Sequence, residues 1–514
     1  MRAIILVGCL TVLTACTVPT LQDKRLENTD PRERARSEPG PPSRVLLLTV
    51  SGLEAEDYLD PWGFAAREGA PVRMPVLAGL AREGVVGLAA LPPSPGSTFS
   101  SHATIATGRL PLRHGVIADT TLDQETSQAI PFWDSRWIEG VSLWDAAVAR
   151  EVLALGWPTT AGARISLLVP PFEVTGVPWL DVVRQQSSPL LVRELEAISE
   201  QDLAKTREDE EGSARSPLSW PTPAERDAAY AELACRVASM ERDPGLWLIH
   251  FAQTAAAQQT FGSGSVELAD ALGRVDAAIG RILGCLEESG QLAETAVFVM
   301  GDIAYRPTHT RILPNVRLVR AGLIGRDPRA PTGVRSWLAL VRSNGHTAYV
   351  YARDAENAMA ARELLEVEAE RTGAFEIVSA NALARAGGDP QAWFGLLARP
   401  GFVFGNELAG PPLSPSPVRA APGLMQSLGD DVGMVGFLAW GRGIRNRVRL
   451  PEIALTDVAP TIATLLGLRL GDELDGEAVL GILRAAVAPP PSGPKRIGVG
   501  TSQGVDRLID EMRK

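Results

Sequence analysis

Four short apolar runs, none broken by a charge, are spread widely along this chain. They are residues 45–50 (Val-Leu-Leu-Leu-Thr-Val), 246–251 (Leu-Trp-Leu-Ile-His-Phe), 297–300 (Val-Phe-Val-Met) and 436–440 (Gly-Phe-Leu-Ala-Trp). Polar and apolar positions do not alternate in them, as they would in a strand with one wet face. Continuous runs of this length predict strands buried on both faces, as in a mostly parallel sheet with helices on either side. Ligands of open α/β sheets bind beyond the carboxyl ends of the strands, so chemistry is sought in the residues that flank these runs.

The remaining pattern divides the chain. Arg2, the apolar residues 3–13 and Leu13-Thr14-Ala15-Cys16 read as a lipoprotein signal peptide (1–15) with lipidation at Cys16. An ordinary signal peptide or a short core helix is the plainer alternative. An apolar run this short would not span a bilayer. Residues 16–43 are polar and rich in charge and proline, a lipid-anchored flexible tether. The globule is expected to begin at Arg44, with a core over 44–303, a cap or insertion over 304–425, further core over 426–487 and a tail over 488–514. Within the cap, residues 347–351 predict a strand and 355–372 a helix, a small α+β lobe. Residues 201–228, with Arg207-Glu208-Asp209-Glu210-Glu211, read as an exposed excursion. No internal repeat is visible.

Composition adds limits. With 50 Lys and Arg against 61 Asp and Glu, the net charge is −11, which argues against nucleic acid as a partner. Cys235 and Cys285 remain in the globule, and an oxidising compartment would let them pair if the fold brings them together. Thr17 after Cys16 points to an outer-membrane anchor facing the periplasm of a Gram-negative cell, with surface display open.

The richest motif is Ser94-Pro95-Gly96-Ser97-Thr98-Phe99-Ser100-Ser101-His102, running through Ala103-Thr104-Ile105-Ala106-Thr107-Gly108-Arg109 to Arg113-His114-Gly115. It resembles the nucleophile region of the type I phosphodiesterase/nucleotide pyrophosphatase family of the alkaline phosphatase superfamily. Met74-Pro75, residues 246–251, 296–302, 437–441 and 456–467 match further blocks in the family's order. The resemblance implies an α/β sandwich with a mostly parallel central sheet, and a dizinc site in which a threonine alkoxide attacks phosphorus. Thr98 holds the nucleophile position at a helix start, where free N–H groups favour a phosphoryl oxygen. Ser101 stands at the position the resemblance assigns to phosphate binding, where the family has asparagine.

The metal ligands that the resemblance implies are mostly absent. The family's Val-Asp-Gly reads Val50-Ser51-Gly52, and its second-strand aspartate and histidine become Ala255 and Gln259. Its Ser-Asp-His-Gly reads Gly301-Asp302-Ile303-Ala304, and residues 426–433 contain no histidine. Asp302 alone is kept, too few donors for a dinuclear zinc site. Of the five histidines, His102 and His114 read as structural and His250 as a core residue. His309 and His346 fall away from the ligand positions. Asp430, Asp431, Glu54, Glu56 and Asp57 are the acidic groups that could rebuild a site for zinc or another divalent cation. Without metals, Thr98 is expected to act as a helix N-cap and Asp302 to cap a turn.

These observations predict a lipid-anchored pseudoenzyme of the cell envelope, needing no cofactor. Its partners would be the membrane and a phosphate-bearing ligand or an envelope protein. A hydrolase of phosphate esters using Thr98 and a rebuilt metal site is the alternative, and a binding role carried by the cap surface is a third.

Overall fold

The computed structural model describes residues 40–60, 72–172, 178–209, 221–330, 332–425 and 433–484, with 200–209 as backbone. Cys16, Asp430 and Asp431 lie outside the described residues.

A nine-stranded sheet forms the centre. Its labelled strands are β1 (Arg44–Val50), β2 (Val85–Leu91), β3 (Val152–Leu155), β4 (Leu167–Val169), β5 (Leu246–Phe251), β6 (Thr295–Gly301), β7 (Val435–Gly441) and β8 (Val448–Leu450). In space they run β8-β2-β7-β6-β1-β5-β3-β4, and Ile453–Ala454 pairs beside β2. From β6 to β4 the pairing is parallel throughout, whereas β7 is antiparallel to both its neighbours. The sheet is therefore mostly parallel, as the apolar runs predict, and the run 436–440 is its antiparallel member.

The lack of alternation in these runs has its explanation in the layers. The helices that matter below are α1 (Pro75–Glu83), α2 (Thr98–Thr107), α3 (Pro223–Ala238), α4 (Gln253–Phe261), α5 (Val266–Glu288), α6 (Ala355–Thr372) and α7 (Val458–Leu466). Leu46, Leu48 and Val50 of β1 pack with α1, α3 and α5, while Val45 and Leu47 pack with α2 and α7 on the opposite face. Both sides of the strand are dry, so a polar residue such as Thr49 is accommodated only with buried hydrogen-bond partners. Each such side chain contributes about 1.5–3 kcal/mol on burial.

The expected excursion over 201–228 needs correction at both ends. One helix, Pro189–Asp209, runs through its first part, and α3 begins at Pro223. Thr222 caps α3 by accepting from the Glu225 N–H, while the Glu225 carboxylate accepts from Thr222 N–H, and Pro223 pre-sets the first turn. The Thr-Pro-Ala-Glu signal was in the sequence, masked by the surrounding charge.

Between β6 and β7 the chain builds a separate lobe. Arg306–Ile312 pairs with Gly401–Phe404, Leu413–Pro415 and Ala420–Ala421. A four-stranded antiparallel sheet of Ala339–Asn344, Thr347–Ala352, Phe394–Ala398 and Phe375–Ser379 carries α6 against it. The strand and helix predicted at 347–351 and 355–372 are present. Ala118 and Leu122 of the core join the lobe's apolar cluster, which fixes the lobe beside the segment that follows α2. Cys235 of α3 and Cys285 of α5 form a disulfide with Cα atoms 5.3 Å apart. Among the described residues, no helix is long and apolar enough to cross a membrane.

Candidate active-site crevice

Parallel strands β1, β5 and β6 end side by side, and their C-terminal residues converge on Asp302. Its Oδ1 accepts from the Gly52 N–H at 3.2 Å and the Ile303 N–H at 2.8 Å, and its Oδ2 accepts from the Ser51 hydroxyl at 2.9 Å. The carboxylate is fully buried, and burial pushes its pKa up to about 6 although these three donors pull the other way. Ser51 thus stands at a lost ligand position as a hydrogen-bond donor to the surviving aspartate. The same loop is tied to the next strand end: Thr254 Oγ1 donates to the Ser51 carbonyl at 2.6 Å, and Gln258 Nε2 to the Gly52 carbonyl at 3.0 Å.

The other lost positions are filled by hydrocarbon and a phenol. Ile303, Tyr305 and Ala420 form a small buried cluster against which Ala255 packs. Gln259 Nε2 donates to the Tyr305 hydroxyl at 3.5 Å. Tyr305 is 3 % exposed, and burial together with the Asp302 and Asp119 carboxylates pushes its pKa far above the usual tyrosine range. Its ring leans on Gly52, where an added Cβ would meet Tyr305 Cδ2 at 2.9 Å. Tyr305 was not singled out in the sequence; the available signal was a bulky aromatic three residues after the surviving aspartate. Beside Ile303 there is a cavity of ≈20 Å³, room for about one water.

The start of α2 departs from expectation. Ser97 is the N-cap, accepting from the Ser100 N–H while Ser100 Oγ accepts from Ser97 N–H, so Thr98 is the first helical residue and not the cap. A serine one position earlier takes the capping role because its extended backbone points its hydroxyl at the third N–H of the helix. Asp119 lies across this helix end and accepts from the Phe99 N–H at 2.9 Å. Burial raises its pKa, opposed by the Phe99 N–H, the Ser97 hydroxyl and the Thr98 N–H. The anion position that a helix N-terminus offers is therefore taken by a carboxylate of the chain itself. Ser101 is completely buried and its hydroxyl has no partner.

Among the described residues, three cluster as metal-ligand candidates: His102, His250 and Asp302, whose ligand atoms lie within 4.8 Å of one another. Their hydrogen bonds decide the matter. His102 Nδ1 is 2.7 Å from the Thr98 carbonyl, which can only accept, so this nitrogen carries the proton. Burial lowers the His102 pKa to about 3, leaving the ring neutral and its Nε2 an acceptor for the Thr49 hydroxyl at 2.7 Å. Thr49 in turn accepts from His250 Nδ1 at 3.0 Å, and burial holds His250 neutral as well. Both nitrogens of His102 are thus committed, and both oxygens of Asp302 are bonded. With both nitrogens of His102 committed, one imidazole nitrogen of His250 and the Asp302 carboxylate remain, two donors where a catalytic zinc requires three.

The remaining candidates lie elsewhere. Asp57 pairs with Arg73 at 2.8 Å, Glu54 with Arg306 at 3.2 Å, and Glu56 is exposed. His114 is buried and bonded to Thr104, His309 is exposed on the lobe, and His346 is buried within it. None of them reaches Asp302 in a ligand cluster among the described residues.

The strand ends around Asp302 and the helix start at Thr98 thus meet at the carboxyl edge of a mostly parallel sheet. The sequence profile of the type I phosphodiesterase/nucleotide pyrophosphatase family matches residues 45–393, and the chain belongs to that family. Murine ectonucleotide pyrophosphatase/phosphodiesterase 5 is similar in structure, with a TM-score of 0.57 at 14% identity, over 86% of this chain and all of that one. An inactive variant of the same murine enzyme in complex with AMP gives a TM-score of 0.58 at 14% identity, with the same coverage. At that identity the likeness concerns the fold. A search of curated proteins gives no match.

Proposed function

We propose that this chain is a pseudoenzyme of its family, a lipid-anchored envelope protein that binds or scaffolds and does not hydrolyse phosphate esters. The observation that carries the reading is the crevice itself: Asp302 accepts from Ser51, Gly52 and Ile303, and Tyr305 packs with Ala255 where the resemblance places metal ligands. A threonine hydroxyl is a poor nucleophile without a metal or a base to ionise it. Near Thr98, both nitrogens of His102 are committed, and Asp119 already occupies the Phe99 N–H where a phosphoryl group would approach. No resident metal is expected. The Cys235–Cys285 disulfide supports an oxidising compartment, consistent with lipidation at Cys16 and an outer-membrane location facing the periplasm.

The test is hydrolysis of bis-p-nitrophenyl phosphate by the purified protein with added Zn²⁺, Mn²⁺ or Mg²⁺, alongside its bound-metal content, with Thr98→Ala as control. Turnover indistinguishable from the Thr98→Ala background and substoichiometric metal are expected. Metal-dependent turnover that Thr98→Ala abolishes would overturn the reading in favour of a rebuilt catalytic site.

A further inference from the structure

Charge is distributed unevenly over this acidic chain. Residues 306–353, which open the lobe, carry nine arginines against one carboxylate, Asp327, although the chain as a whole has a net charge of −11. Three of the nine are held by acidic partners: Arg306 by Glu54 at 3.2 Å, Arg311 by Glu407, and Arg317 by Glu368 at 2.5 Å. Arg342 donates to the Ser127 carbonyl, and Arg353 to the Trp337 and Gln124 carbonyls, with its guanidinium 3.8 Å from the centre of the Trp337 ring. Arg320, Arg326, Arg329 and Arg335 remain. All four are exposed, and none forms an ion pair or a side-chain hydrogen bond among the described residues.

Local structure gathers these four on one projection. The helix Pro314–Arg320 ends at Arg320, and a turn closed by the Gly322 and Leu323 N–H groups leads into the strand Ile324–Arg326. That strand pairs antiparallel with Val334–Trp337, and a register shift between Gly325 and Arg326 leaves Arg335 beside them. The Arg335 guanidinium lies against Gly325, where an added Cβ would be 3.4 Å from its Nη2. Arg329 sits in the loop joining the two strands, and there the one carboxylate, Asp327, accepts from the Arg329 N–H at 2.9 Å. Ile324, Val334 and Trp337 are buried in the lobe's apolar cluster, so the hairpin is fixed from beneath and its charges face solvent. Leu338, next in the chain, is exposed beside them.

The neighbouring helix does not neutralise this patch. On α6, Glu368 is held by Arg317 and Arg371, and Glu366 by Arg362. Glu356, Glu363 and Glu370 are exposed there and pair with none of the four arginines among the described residues.

We propose that this hairpin is a docking surface for the anionic phospholipid headgroups of a membrane. Guanidinium groups bind phosphate in a two-pronged fashion, and a sheet of headgroups offers phosphate to several of them at once. Exposed Leu338 supplies apolar area at the same place. An acidic chain is repelled by an anionic bilayer over most of its surface, so one basic projection also sets its orientation, with the lobe toward the lipid. The surface goes beyond the pseudoenzyme reading, since it involves neither the crevice nor the acyl group proposed at Cys16, to which it would add.

The experiment is flotation of the full chain carrying Cys16→Ser, so that no acyl group contributes, with vesicles of phosphatidylcholine alone or mixed with phosphatidylglycerol. At about fivefold per arginine near an anionic surface, binding to the mixed vesicles should be at least ~50-fold tighter at ~0.1 M salt and should fade as salt is raised. Arg326→Gln with Arg335→Gln should cut that preference at least ~10-fold. Arg193→Gln with Arg469→Gln removes the same charge from exposed positions on the core, and should leave the preference within about twofold of the parent. Equal effects of the two double variants would overturn the proposal. Equal binding to both kinds of vesicle would overturn it too, and would point to an acidic protein surface as the partner instead.

Discussion

Asp302 is the residue on which the crevice turns, and its protonation can be read out. Its folded pKa of about 6 lies above the ordinary 3.8, so the native state holds this proton more tightly than the unfolded chain. The contribution is fully present below about pH 4 and is lost as the pH rises through about 6. The shift amounts to roughly 3 kcal/mol of stability lost across that window. Asp302→Asn should remove this dependence, so urea unfolding of parent and variant from pH 4 to 7 should give stabilities whose difference changes steadily over that range. Asp227 and Asp389 are also shifted upward and titrate in both proteins, so they cancel in the difference, which reports Asp302 together with its repulsion of Asp119. Curves that run parallel would mean that Asp302 is not the buried, metal-free carboxyl described here. At this scale the sequence was half legible. Ser51, Ala255, Gln259 and Ile303 stood out because each replaces a side chain that a metal needs. Tyr305 and Asp119 did not, because their importance lies in what they meet in space: Tyr305 reaches Gln259 and Asp119 reaches Phe99 across breaks in sequence that no local pattern spans.

Elements were more legible, since a strand dry on both faces announces itself in a short run of apolar residues. What the runs could not convey was how helices are joined to one another. Cys235 and Cys285 lie on α3 and α5, and their amphipathic patterns say which face is buried but not which turn meets which. The disulfide closes a loop with a sequence separation of 50, which on the chain-entropy view stabilises the fold by roughly 4 kcal/mol. The double variant Cys235→Ser, Cys285→Ser should therefore lose about 4 kcal/mol in urea unfolding, and reductant should destabilise the parent and leave the variant unchanged. A parent insensitive to reductant would show that the bond does not form in the folded protein. α3 also carries Asp227, which accepts from the Ala252 and Gln253 N–H groups at the start of α4, so the helix pair held by the disulfide orients the segment that follows β5. The covalent link thus bears on the crevice as well as on stability.

For the molecule as a whole, the question is what holds the hairpin of the lobe to the chain returning to the core. The hairpin turn Asn344-Gly345-His346 meets the returning chain at Pro422–Gly423: His346 N–H donates to the Pro422 carbonyl at 2.9 Å, and Thr347 Oγ1 to the Gly423 carbonyl at 2.7 Å. Gly423 has φ +86°, and a Cβ there would sit 1.7 Å from the Asn344 carbonyl oxygen and 3.1 Å from the His346 nitrogen. Those are backbone atoms, which cannot rotate aside as a side chain would. Gly423→Ala must therefore push the hairpin off the returning chain, and a loss of about 3 kcal/mol is expected from the clash and the unfavourable φ together. The same substitution at Gly273, inside α5 with nothing within 4 Å of the added Cβ and no positive φ, should instead stabilise by about 0.5–1 kcal/mol. Thermal unfolding and limited proteolysis would read both variants. Gly423→Ala should melt earlier and be cut faster within residues 306–421, while Gly273→Ala should keep its resistance. If Gly423→Ala is cut no faster than the parent there, the lobe is positioned not by this turn but by the apolar contacts of Ala118 and Leu122.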